Sequence, residues 1–136
     1  MPIRYHIDHP RRLVVASGFG RFTDDDAFGY QQDVWSRADV AGYHELVDMS
    51  RVTHIELPAP ERIKDLAALA AGMDDPTKPS KFAIVAPAHL SFGLGRMFQA
   101  HRQFAPGSTK EVGVFRTLSE ALEFLGVEPP VTLPEL

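Results

Sequence analysis

Apolar residues fall in five short runs, separated by stretches in which they recur every three or four positions, the pattern of strands interleaved with helices. Residues 3–7 alternate in character, and residues 13–18 are rich in β-branched side chains. The break His9-Pro10-Arg11-Arg12 between them is short enough to predict a hairpin. Thr23 is a natural N-cap, and Asp24, Asp25 and Asp26 place carboxylates at the positive end of a helix dipole. That first helix is predicted to run to about residue 38, burying Ala27, Phe28, Tyr30, Val34, Trp35 and Ala38. Gln31 is a polar residue near the centre of this stripe, expected to point into a cavity or bond to nearby backbone.

A third strand is expected over residues 45–48, followed by a loop over residues 49–59 that ends at Pro60, a favoured first helical residue. The second helix carries Ile63, Leu66, Ala67 and Ala70 on one side and stops at Gly72. Residues 81–85 form the clearest strand. A third helix is expected from Pro87 to about Phe104, and a last strand over residues 112–115. Thr117 and Glu120 form a capping box for a final helix ending at Gly126.

The order is β-β-α-β-α-β-α-β-α, which predicts a mostly parallel sheet with right-handed βαβ crossovers and an antiparallel edge strand. Residues 1–127 are expected to form one domain and residues 128–136 a Pro-rich tail. The strands are apolar on both alternating sets, so both sheet faces need cover. Crossovers on one face leave the other to the tail or a second copy, and a homodimer using Phe92 or the tail is expected.

At 100° per residue, the third helix is predicted to bury Leu90, Leu94, Met97, Phe98, Ala100, His101 and Phe104. Phe92 then falls on the opposite side with Arg96, Gln99 and Gln103, where it marks a partner or ligand surface or an ordinary exposed aromatic.

Composition narrows the chemistry. The 136 residues include no cysteine, which excludes disulfides, thiolate metal sites and cysteine nucleophiles. The net charge is −4 and the 14 basic residues are scattered, which argues against nucleic acid as a partner. The first residues lack an apolar leader run, so a cytoplasmic location is expected. Gly18-Phe19-Gly20 precedes a helix, but three aspartates stand where a pyrophosphate would sit, so a strand-end turn is expected instead. Ser91 lacks the preceding glycine of a nucleophile elbow, and no histidine pair has metal-ligand spacing on a helix. No catalytic residue, cofactor or metal is therefore expected.

The run Leu46-Val47-Asp48-Met49-Ser50-Arg51-Val52-Thr53-His54-Ile55 resembles the central segment of STAS domains, the sulphate-transporter and anti-sigma-factor-antagonist fold. Phe82-Ala83-Ile84-Val85-Ala86-Pro87 and Phe92-Gly93-Leu94-Gly95-Arg96-Met97-Phe98 are similar to its SpoIIAA-like branch, which is also grouped with Sec14-type lipid-binding folds. The likeness covers most of residues 3–126 in element order. Antagonist STAS domains carry Asp-Ser-Ser-Gly after this strand, where this chain has Glu56, Leu57, Pro58 and Ala59. Without a hydroxyl at Leu57 or Pro58, the phosphoserine switch is absent from that site.

The resemblance implies a non-enzymatic module binding a protein partner or a small apolar ligand; the candidate contacts are Glu56, Leu57 and Pro58 from that comparison, with Gln31, Phe92 and Arg96 from the helix faces. One alternative is a small enzyme using His44, His54, Glu56 or Arg96. Another is weak association with a membrane surface or lipid, which lacks support from a basic amphipathic helix.

Overall fold

A computed structural model describes residues 2–56 and 58–136. Strands β1 (Ile3–Asp8), β2 (Leu13–Phe22), β3 (His44–Ile55), β4 (Lys81–Val85) and β5 (Glu111–Phe115) form one sheet in sequence order. The β1–β2 pair is antiparallel and the others are parallel. The helices are α1 (Asp24–Trp35), α2 (Pro60–Ala71), α3 (His89–Phe104) and α4 (Leu118–Leu125).

Because every crossover steps the same way along the sheet, right-handed connections put α1, α2 and α3 on one face. That face buries Val14, Ala16, Val47, Phe82, Ile84 and Val114. The opposite face buries Leu13, Val15, Leu46, Ala83 and Val85 beneath α4. Val131 and Leu133 of the C-terminal segment pack on the same side. Arg11 and Arg51 donate to the carbonyls of Glu128 and Pro134, at 3.1 Å each, and hold that segment down.

Local signals explain most boundaries. Thr23 closes a capping box with Asp26, and Thr117 accepts from the Glu120 N–H at 3.2 Å. Gly126 ends α4 in the left-handed conformation that glycine tolerates best.

Three expectations need correction. Residues 49–55, expected as loop, continue β3 because β2 itself continues to Phe22 and pairs with them across two register shifts. Gly20, at φ 58°, accommodates one of these bulges. Helix α1 ends at Trp35, and Ala38 belongs to a separate 3-10 turn, Ala38–Val40.

The third correction concerns α3, which starts at His89 and is turned relative to the hydrophobic prediction. Ser91, Gly95 and Arg102 are its buried residues, whereas Leu90, Met97 and Phe104 are exposed, Phe104 to 82%. Phe92 is half-buried against the core under the Arg116 guanidinium, 4.2 Å from its ring centre. Gln99 also turns inward and donates to the Val112 carbonyl at 2.8 Å. The reason is close approach at Gly95, where even a Cβ would stand 3.1 Å from Val114. The helix therefore comes close to the sheet at Gly95.

Candidate functional site

Helix α2 packs mainly against α1 and α3 rather than on the strands, and a cavity of about 160 Å³ lies beneath it. Strand alternation supplies the floor, with Val47, Phe82 and Ile84 pointing up from β3 and β4. Ile63 and Leu66 form the roof, Ala27 and Tyr30 one wall, and Leu94, Gly95 and Phe98 the other. The buried alanines of α2, Ala67, Ala70 and Ala71, are not among the residues that line this space.

Thr23, Asp24, Glu56, Pro58 and Arg62 also border the cavity. Arg62 reaches from α2 to Asp24 at 2.6 Å and Asp25 at 2.7 Å, while its guanidinium covers Phe28 at 4.1 Å. The Arg62 hydrogen bond lowers the Asp24 carboxyl below its ordinary range. Glu56 is exposed and paired with Arg21 at 2.7 Å.

Tyr30, Gln31 and Glu45 bring polar groups to the same cavity. Glu45 is 3% exposed. Its Oε2 accepts from the Tyr30 hydroxyl at 2.8 Å and from Trp35 Nε1 at 3.1 Å. Lys110 Nζ lies 3.8 Å from Glu45 Oε1 and 3.6 Å above the centre of the Trp35 ring. Burial raises the Glu45 carboxyl, against the pull of Lys110 and Tyr30, and lowers the Lys110 ammonium. Burial and then the Glu45 charge push the Tyr30 phenol well up, so it remains a hydroxyl donor at neutral pH. Gln31 is buried, and its Nε2 has the Met73 sulfur at 3.3 Å as partner.

A second buried cluster delivers Lys110 to this place. Asp74 takes both Arg102 amines at 2.7 Å, and its Oδ2 also accepts the backbone N–H groups of Thr109 at 2.8 Å and Lys110 at 2.9 Å. The loop before β5 is thus tied to the end of α2.

Of the residues singled out from sequence, Gln31, Glu56 and Pro58 border one cavity. Phe92 and Arg96 do not, Arg96 being exposed on α3. Leu57 lies outside the described residues. His44 and His54 sit near opposite ends of β3, about 30 Å apart at the usual rise per residue, so they do not share a site. Instead, His44 Nδ1 accepts the Lys81 N–H at 3.0 Å and links the starts of β3 and β4. Sequence reasoning missed Glu45, Tyr30 and Lys110 as a group. The available signal was a glutamate directly before the apolar pair Leu46-Val47 at the start of a strand.

No family model matches the chain, and no curated protein matches it. Among solved structures, it is similar to an uncharacterised protein of the DUF3478 family with a SpoIIAA-like fold, from Shewanella loihica PV-4. The identity is 19%, over 90% of this chain and 93% of that one, with a TM-score of 0.55. The chain therefore has a SpoIIAA-like α/β fold, as its element order and the resemblance above predict. Among the described residues, no helix is long and apolar enough to cross a membrane.

Proposed function

We propose that this protein is a binding module that holds one small, largely apolar ligand beneath α2. The carrying observation is the cavity of about 160 Å³ walled by Val47, Ile63, Leu66, Phe82, Ile84 and Phe98. An engineered apolar cavity of about 150 Å³ admits benzene, so the space suits a single ring or a short aliphatic group. Toluene titrated into the full chain, followed by ligand-detected NMR, should saturate at one site. Ala27→Phe, which fills one wall, should abolish that binding while leaving the circular dichroism spectrum unchanged. A wild-type protein that never saturates would remove this reading.

A second reading, self-association, is favoured by the outer row of α3. Leu90, Met97 and Phe104 are exposed and recur every seven residues, with Gly93 and Ala100 between them. An antiparallel second copy centred on Met97 would set Met97 against its own counterpart and Leu90 against Phe104. Sedimentation of the wild type against Phe104→Glu tests this, the dimer being expected only in the former.

A further inference from the structure

The hydrogen-bonding capacity left free in the cavity narrows the ligand class, an inference that rests on the ligand-binding reading above. Glu45 Oε2 already serves Tyr30 and Trp35, but among the described residues Oε1 accepts no hydrogen bond, Lys110 Nζ being 3.8 Å away. Among the described residues, the fully enclosed side-chain atoms without a partner are Ser17 Oγ and Arg102 Nε. Glu45 Oε1 is not one of them, so it keeps some accessible surface, and Glu45 is among the residues that line the cavity. Gln31 lines it too, and among the described residues its amide is held by a weakly accepting sulfur alone.

The Tyr30 hydroxyl, the Trp35 N–H and the Lys110 ammonium all converge on Glu45, which suits its ionised form. An anionic ligand would therefore meet a carboxylate. A cationic one bonded to Oε1 at about 2.8 Å would lie at most roughly 7 Å from the Lys110 ammonium, which already compensates that carboxylate. A wholly apolar ligand would leave Oε1 dry and unpaired. A neutral hydroxyl satisfies it, and the rings of Phe22, Tyr30, Phe82 and Phe98 line the remaining space.

We propose that the cavity takes a small neutral aromatic alcohol, a phenol, whose hydroxyl donates to Glu45 Oε1 while its ring lies over the apolar floor.

Dissociation constants of phenol, toluene and benzylamine for the full chain, from calorimetry or ligand-detected NMR, test this directly. Phenol should bind at least tenfold more tightly than toluene or benzylamine. In the double variant Glu45→Leu/Lys110→Met, which replaces the buried pair by hydrocarbon, the advantage of phenol over toluene should disappear. Toluene binding as tightly as phenol to the wild type would overturn the phenol assignment and leave the apolar-ligand reading standing. Benzylamine binding more tightly would overturn the neutral class. Failure of all three to bind would remove both proposals. The wild-type comparison decides even if the double variant does not fold.

Discussion

Asp74 and Arg102 meet through two hydrogen bonds of 2.7 Å, each side chain at most 4% exposed. The pair joins the end of α2 to α3, and through the N–H groups of Thr109 and Lys110 it also sets the start of β5. Removing one member leaves the other charge buried and unpaired, so Asp74→Asn should destabilise the protein by about 3–5 kcal/mol at pH 7. Urea melts of both proteins provide the measurement.

The same carboxylate predicts an acid dependence. Burial alone would raise Asp74, but the Arg102 bonds and the two backbone donors outweigh it and hold the group below its ordinary value. A lowered folded-state pKa means stability that is complete above the unfolded carboxyl's pKa and is lost as pH falls through the folded one. The gap between wild type and Asp74→Asn should therefore narrow as pH falls below about 4. Glu45 is shifted in the opposite direction, so only this difference between variants isolates Asp74.

His44 supplies a second pH effect. Burial, then the charges of Lys110, Lys81 and Arg12, lower its pKa, and its Nδ1 must stay unprotonated to accept the Lys81 N–H. The unfolded chain takes up the proton first, so stability should fall as pH drops below about 6.5 and level off below the folded-state pKa. His44→Asn keeps a side-chain acceptor but cannot titrate. Melts from pH 7.5 to 5 should show a flatter profile for the variant.

Trp35 is 8% exposed and combines an apolar ring with a donor to Glu45. Trp35→Ala should cost roughly 3–5 kcal/mol. A loss below about 1 kcal/mol in denaturant melts would contradict its place in the core.

Truncation after Val127 removes Val131 and Leu133 from the α4 face of the sheet. Partial burial of two aliphatic side chains is worth about 1–3 kcal/mol, so the truncated chain should be less stable by that order. Denaturant melts measure the loss. Light scattering should show increased self-association through the uncovered face.

The element order and helix caps were legible because Thr23, Thr117 and Gly126 act through local backbone chemistry. Trp35 was legible because α1 presents its large apolar residues inward. Helix α3 was not legible because its burial does not follow side-chain size. Its contact is set by what Gly95 lets approach, and the inward Arg102 is compensated by Asp74, distant in sequence. The long β3 was obscured by polar residues between Ser50 and Ile55, whose pairing depends on the bulged extension of β2. The Gln31 position announced a polar group near apolar surroundings. Glu45 and Lys110 gave no such notice, because only the folded sheet brings residues 65 positions apart together.

Because α2 leans on two helices and spans a void, its local unfolding sacrifices less contact than the opening of any central strand. Its backbone amides should therefore exchange with deuterium sooner than those of β3 and β4. Occupation of the cavity should slow that exchange selectively, since a bound molecule would supply the missing contact beneath Ile63 and Leu66. Exchange of that kind would mark the roof as a separate unit of cooperativity, able to open while the sheet stays closed.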